Sequence, residues 1–339
     1  MPASFVHVNK RLSDISVRFP DEQVTVRSEF FPRKPVDHLS DLIAQWNRGN
    51  ILRLDDLDMA GDEDLPSLVE LQLDANITYQ CKIWAVRAMA KEITARNADP
   101  SLDYEVERAL MAKQRLSTLL EYQAVNKVLR DPTAMSGSFE TVALAEQFDN
   151  FGSATSLPVS KLSGVALRIK SQTGGNMPNK CTMSSFVLNA IATSEEFKDR
   201  SKYTVLVVGD PASTDGRARI LEQLVGLTPG AIKLTDAVYN TSKAGAAESL
   251  KQFIGSSVVM AYVTPPSIRS YGFAAGFSWN GYGADPMAII KVPQFNHGVI
   301  PGEEIRAFSI VDWRVLNVKA GYTLDQVVNV AVTGGGFLD

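Results

Sequence analysis

The stretch "SLDYEVERALMAKQRLSTLLEYQAVNKVLRDP", Ser101 to Pro132, decides how the rest of the chain is read. Asp103 is a good helix N-cap, Glu105 and Glu107 stand where a helix dipole is positive, Lys127 and Arg130 stand where it is negative, and Pro132 ends the run. Ala109, Ala112, Leu116, Leu119, Leu120, Ala124 and Val128 recur at threes and fours. The spacing predicts one apolar stripe along roughly 40 Å of helix at a rise of 1.5 Å per residue. Such a helix serves as the backbone of a subunit.

The sequence before it is of another kind. From Val36 to Asp74 the residues Asp37, Asp41, Asp55, Asp56, Asp58, Asp62, Glu63, Asp64, Glu70 and Asp74 face only Arg48 and Arg53, with no lysine. Its interior, "NILRLDDLDMAGDEDLPSLVELQL" (50–73), alternates weakly and is broken by Ala60-Gly61 and Pro66. We read a long two-stranded excursion that returns through "ITYQCKIWAVRAM" (77–89). A two-stranded ribbon is marginal alone in water and needs something to lie on. Residues 1–35 set Lys10, Arg11, Arg18, Arg27, Arg33 and Lys34 against Asp14, Asp21, Glu22 and Glu29, with little periodicity. They are expected to form an arm held by neighbouring chains.

Beyond Pro132, "SLPVSKLSGVALRIKSQTGG" (156–175) is a second helix stopped by Gly174-Gly175, and "CTMSSFVLNAIATSEEF" (181–197) is expected as a third. Strands are expected in "YTVLVVGD" (203–210), "AIKLTDAVYN" (231–240) and "IGSSVVMAYV" (254–263). Asn280-Gly281, between "YGFAAGFSW" and "YGADPMAIIKV", is a hairpin signal, because type I′ turns need positive φ at both central positions. The stretch "EEIRAFSIVDWRVLNVKAGYTLDQVVNVAV" (303–332) is again strand-rich, and Gly334-Gly335-Gly336 reads as a flexible tail. Few strands alternate with single crossover helices, so the class is α+β.

Chemistry finds little support. The 339 residues are 45% hydrophobic and 21% charged with a formal charge of -4, a globular composition without global attraction to polyanions. Neither export nor membrane insertion is indicated, since the start lacks an apolar h-region and no apolar run approaches the ~20 residues that span a bilayer. Cys81 and Cys181 read as neutral buried thiols in a reducing compartment. His7, His38 and His297 lack metal spacing, and the acidic stretch lacks the spacing of a calcium loop. No catalytic, cofactor or metal residue is therefore assigned, and the acidic cluster reads as a contact surface.

One alternative remains in "YTVLVVGDPASTDGRARILEQLVG", Tyr203 to Gly226, a strand, turn and helix of the kind that holds phosphate. A cradle needs free backbone N–H groups and usually a lysine. Here Gly209 is followed by Asp210, whose charge repels phosphate, and Pro211, which has no N–H; only Arg217 and Arg219 favour a nucleotide- or phosphate-binding enzyme. Packing is the preferred reading.

The order of parts says more than any motif: a charged arm, "EFFPRKPV", an acidic loop, "ITYQCKIWAVRAMAKEI", "NADPSLDYEVE" opening a long helix, "GVALRIKSQTGGNMPN" and "LTDAVYN". Taken together they resemble the major capsid proteins of tailed bacteriophages, whose fold also builds encapsulin nanocompartments and the floor of the herpesvirus capsid. The resemblance implies an N-terminal arm (1–35), an extended loop (36–91), a peripheral domain with a long spine helix (92–154 and 301–339) and an axial domain (155–300). It implies a structural, non-enzymatic subunit that assembles into the pentamers and hexamers of an icosahedral shell around double-stranded DNA, bound without sequence specificity. Portal, scaffolding and cement proteins are the implied partners, with no membrane. The chain would be made in a bacterial host cytoplasm and end in the virion; an encapsulin-like compartment is the near alternative. Asp55, Asp56, Asp58, Asp62, Glu63 and Asp64 of the loop, with Arg11, Arg18, Arg27, Arg33 and Lys34 of the arm, would supply matching charge across subunits. Some members crosslink a loop lysine to a neighbour; this loop has none between Lys34 and Lys82, so a non-covalent shell is expected.

Overall fold

A computed structural model describes residues 26–46, 73–91, 104–202, 213–243, 245–267, 272–281, 287–297 and 300–329. It opens with helix α1 (Val26–Phe30), then strands β1 (Arg33–Val36), β2 (Ser40–Trp46), β3 (Leu73–Gln80) and β4 (Lys82–Lys91). Helix α2 (Tyr104–Ala124) leads through strand β5 (Phe139–Thr141) to helix α3 (Pro158–Thr173), strand β6 (Lys180–Met183) and helices α4 (Ser185–Thr193), α5 (Glu195–Ser201) and α6 (Thr214–Val225). Strands β7 (Ile232–Leu234), β8 (Val238–Asn240), β9 (Leu250–Gln252), β10 (Val258–Ala261), β11 (Ala274–Trp279), β12 (Ala288–His297), β13 (Ile300–Val315) and β14 (Gly321–Asp325) follow.

The spine helix is α2, and its stripe is buried at Ala109, Ala112, Leu116, Leu120 and Ala124. Beyond Ala124 the helix opens into a π-turn, Val125–Leu129, closed by the i→i+5 bond from Arg130 N to Val125 O at 2.9 Å. The inserted residue rotates the register. Val125 and Leu129 are therefore fully buried, whereas Val128, expected in the stripe, is half-buried, as is Leu119 on its flank. Asp103, the expected cap, lies outside the described residues.

Strand β13 organises the first sheet. One edge pairs with all of β4, from Gly302↔Lys91 to Val311↔Lys82. The other carries β12 and then β11 end to end, at Ile300↔His297 to Phe308↔Ala288 and Val311↔Ser278 to Val315↔Ala274. Helix α2 packs across β4 and β13, and β1 adds to β11 in parallel. The second sheet runs β5-β14-β10-β6-β7 and is packed with α3 and α6 over a separate apolar core.

Several expectations change here. Asn280-Gly281 is not a hairpin: β11 and β12 are both antiparallel to β13 and so run in the same direction, and neither Asn280 nor Gly281 has positive φ. The expected third helix begins as strand β6, and its helical part divides at Ser194, whose extended backbone and side chain cap α5 by accepting from Phe197 N. The second helix stands as read, with proline in its first turn and left-handed Gly174 at its C-terminus. Its N-terminal cap comes from elsewhere: the Glu196 carboxylate accepts from Val159 N at 2.8 Å and Ser160 N at 3.0 Å. Strands β11 and β12, from the expected axial segment, join the first sheet; β5 and β14, from the expected peripheral pieces, join the second.

The arm expectation also changes for residues 26–36. Val26, Phe30 and Phe31 are buried in the core beneath α2, and Phe30 meets Phe273 edge-on at 6.4 Å between centroids. Arg27 N donates to Glu121 at 3.1 Å, and Glu29 pairs with Lys180 of β6. Each buried apolar side chain is worth about 1.5–3 kcal/mol, so this part of the arm is held by its own chain. We predict that Phe30→Ala destabilises the unassembled subunit by about 3–5 kcal/mol in urea denaturation. An unchanged midpoint would mean that the arm is held from outside.

Candidate assembly surfaces

The excursion is rooted by stacking. Strands β2 and β3 pair antiparallel from Ser40↔Gln80 to Trp46↔Leu73, with a register shift between Ile43 and Gln45. At the root Tyr79 lies flat on Phe277, 4.6 Å between centroids and 6° between planes, within an apolar cluster that includes Ile43, Cys81, Ala275 and Ile310. Gln80 N donates to Asp312 Oδ2 at 2.8 Å and Cys81 N to Leu39 O at 2.8 Å. Burial, reinforced by the Asp312 charge, pushes the Cys81 thiol up to about 11, and burial with the Glu222 charge pushes Cys181 up to about 12. Both thiols are protonated at neutral pH. On the strands around the root, Leu39 (47% exposed), Leu42 (57%) and Ile83 (70%) are open among the described residues.

Of the expected contact residues, Arg27, Arg33 and Lys34 are described, and all three stand beside partners of their own chain. Arg33 Nε donates to Ser278 Oγ at 2.8 Å, and the Lys34 ammonium stands 5.9 Å from the centre of the Phe277 ring. Arg11, Arg18, Asp55, Asp56, Asp58, Asp62, Glu63 and Asp64 lie outside the described residues. A basic surface that was not anticipated lies between β4 and α2: a groove of about 480 Å³ lined by Arg87, Arg108, Arg115 and the exposed Met111. The seven-residue spacing of Arg108 and Arg115 places them on one helix face, but only the fold brings Arg87 beside them.

The phosphate reading gains no support. Ser213 Oγ takes the Gly216 N–H at 3.0 Å, so the helix start caps itself, and Arg217 Nη1 donates to Asn189 Oδ1 at 2.8 Å. A concavity of about 590 Å³ beside α6 sets Arg219 and Lys233 against Asp215 and Glu222, leaving no surplus of positive charge. Buried Glu222 is committed to the Gly230 and Ile232 N–H groups at 2.9 and 2.8 Å. Residues 203–212, including Gly209 to Pro211, lie outside the described residues. No group of three or more metal-binding side chains occurs among the described residues.

A polar network fastens the segment after α2 to the second sheet. Lys161 Nζ pairs with Glu140 Oε1 at 2.8 Å and Glu146 Oε2 at 2.6 Å. Tyr322 O–H donates to Glu140 at 3.0 Å, and the Arg168 guanidinium lies 4.9 Å from the Tyr322 ring centre. Burial raises the Glu140 pKa, but the Lys161 and Tyr322 hydrogen bonds and the Lys161 charge outweigh it and hold the carboxyl below its usual 4.5. Burial lowers Lys161, and its two carboxylates carry it above its usual 10.5.

No protein-family model matches the chain, and no curated protein matches it in sequence. Solved structures do. A phage-related protein of Bordetella bronchiseptica is similar at 15% identity and TM-score 0.64, over 94% of this chain and 97% of its own. The capsid of cyanophage P-SCSP1u is similar at 8% identity and TM-score 0.59, over 91% and 89%. The SrpI encapsulin of Synechococcus elongatus is similar at 11% identity and TM-score 0.55, over 90% and 88%. The chain has the α+β fold of tailed-phage major capsid proteins, which encapsulins share.

The network sets a pH window. Glu140, depressed in the folded state, stabilises above its unfolded value, and this contribution is lost as pH falls through the folded one; Lys161, raised, stabilises below its unfolded value and is lost on the alkaline side. We predict a stability gap between the wild type and Lys161→Met that is full between pH 4.5 and 10.5 and closes in acid below 4.5. Because Glu140 is 39% exposed, screening keeps the gap to about 1 kcal/mol or less. Urea unfolding from pH 2 to 7 measures it; a gap that does not narrow as pH falls below 4.5 contradicts the assignment.

Proposed function

We propose that the chain is the major structural subunit of a viral shell, self-assembling into the pentamers and hexamers of an icosahedral capsid that encloses phage double-stranded DNA. The observation that carries this reading is the ribbon root: Tyr79 and Cys81 fix it to the sheet while Leu39, Leu42 and Ile83 stay uncovered, a surface suited to a further copy of the chain. A shell built from one chain needs heterologous contacts that close into rings and a second set that joins rings. Contacts of modest individual strength suit it, since misplaced subunits leave while the finished shell gains from many attachments.

In this reading residues 1–35 are the arm and 36–91 the extended loop. The first sheet with α2 forms the peripheral body, and the second sheet with α3 to α6 forms the axial one. The loop acids Asp55 to Asp64 meet basic surface on a neighbour, either the arm or the groove of Arg87, Arg108 and Arg115. Such pairing fixes register and speeds encounter more than it adds affinity. The subunit has no substrate; its partners are portal, scaffolding and cement proteins, and the packaged DNA is contacted without sequence preference. Assembly takes place in the host cytoplasm and the product is the virion. The likeness to an encapsulin over 90% of the chain favours one second reading, a compartment that encloses protein cargo.

We predict that reversing Asp62, Glu63 and Asp64 to lysine lowers particle yield in sedimentation by at least about tenfold, while thermal unfolding of the subunit is unchanged; undiminished yield would remove these acids from the contact. Particles isolated from the cells that make this chain naturally are expected, under negative stain, to be closed shells with nuclease-protected DNA inside. Shells filled with protein decide for the compartment, and a small oligomer with no shell overturns both readings.

A further inference from the structure

Strand β13 changes partners along one edge, and the change leaves a hollow. Strand β11 ends where Ser278 faces Val311, and β12 begins where Ala288 faces Phe308. Between them Ser309 and Ile310 have no strand partner on that edge among the described residues. Here α1 and α2 meet the sheet around a cavity of about 230 Å³, whose apolar wall is Phe31, Leu120, Met287, Val311 and Trp313. An apolar cavity of about 150 Å³ already admits benzene, so this one has room for an aromatic ring with a short arm.

The polar groups of the cavity gather at two points. At one, Arg33 Nε donates to Ser278 Oγ at 2.8 Å, while among the described residues its two Nη groups make no hydrogen bond or ion pair. Arg27 also lines the cavity, with its backbone N–H held by Glu121, and no acidic side chain lines it among the described residues. The free edge of Arg33 is a planar pair of donors, the geometry that a carboxylate fits. At the other point Ser309 is 2% exposed, and its Oγ has no hydrogen-bond partner among the described residues; nor has the buried Nε1 of Trp84, which faces Ser309 on β4. Ser309, Val311 and Trp313 alternate to one face of β13, so the hydroxyl stands on the cavity side. A buried hydroxyl without a partner calls for one. Ser278 and Ser309 are diagonal neighbours on that face, about 7–8 Å apart.

We propose that this cavity binds a small hydroxyaryl monocarboxylate, its carboxylate accepting from the Arg33 Nη groups, its ring filling the apolar space and its hydroxyl meeting Ser309 Oγ. A para-substituted ring carries a hydroxyl and a one-carbon carboxylate arm at opposite ends, which matches the diagonal from Ser278 to Ser309. A free amino acid does not fit, because its ammonium would stand against Arg27 and Arg33. The site lies within one subunit and needs no assembly. Its ligand would bridge α1 to the sheet, so binding stabilises the folded subunit by mass action.

The test titrates the full chain with 4-hydroxyphenylacetate in a calorimeter, beside phenylacetate, 4-hydroxyphenylacetamide and tyrosine. The expected result is one site per chain, with affinity at least about tenfold lower when either the hydroxyl or the charge is removed, and no detectable binding of tyrosine. Arg33→Gln is expected to weaken the acid to the level of the amide, and Ser309→Ala to weaken it to the level of phenylacetate, so that each substitution cancels the matching change in the ligand. Arg33 is exposed and the ligand series needs no substitution, so the result stands even where Ser309→Ala does not fold. No binding, equal affinity for acid and amide, binding of tyrosine, or affinities indifferent to Arg33→Gln would each overturn the proposal.

Discussion

Everything in this molecule hangs on one strand that is too long to belong to a single partner. Strand β13 spans sixteen residues, roughly 50 Å, and is paired on both edges for much of that length. Its length lets β12 and β11 share one edge in succession while β4 takes the other, and the resulting floor is broad enough for α2 to cross. Because β4 continues from the ribbon strands β2 and β3, and β1 follows α1, both segments are sutured to this floor. Their directions are set by β-sheet hydrogen bonds, which tolerate little rotation.

That arrangement changes what the arm is. Composition alone makes residues 1–35 a charged appendage, yet Val26, Phe30 and Phe31 form part of the core under α2, and Glu29 reaches β6 in the other sheet. The charges counted as interface material are partly spent at home, with Arg33 on Ser278 and Lys34 over Phe277. Among the described residues, exposed aliphatic side chains occur at the ribbon root, and arginines line the groove between β4 and α2. Uncovered apolar side chains that stand together on a surface are where a soluble protein most often meets another molecule.

What was legible in the sequence was local. The stripe of α2 and the proline and glycine that bracket α3 are short-range signals, and each appears in the structure; the alternating stretch 50–73 lies almost wholly outside the described residues. Most of what the sequence does not disclose is non-local. Asn280-Gly281 looks like a hairpin because its flanks alternate, but β13, twenty residues further on, takes both flanks as partners. The Ser194 break within the third helix is the local exception: a serine followed by two glutamates is a helix-start signal, set inside an otherwise continuous helical run. Glu196 capping α3 from another helix, the π-turn that exchanges Val128 for Leu129, and Arg87 meeting Arg108 and Arg115 leave no trace in any window of a dozen residues.

Phe273 links these observations. It receives the edge of Phe30 from the arm on one side, and on the other its ring fills the space where a Cβ at Gly321 would stand, 2.3 Å from the nearest ring atom. Gly321 opens β14, so one aromatic ring is the bearing between the N-terminal segment and the sheet on the far side of the body. A displacement of either the Val26–Phe30 helix or the start of β14 therefore reaches the other through a single rigid side chain.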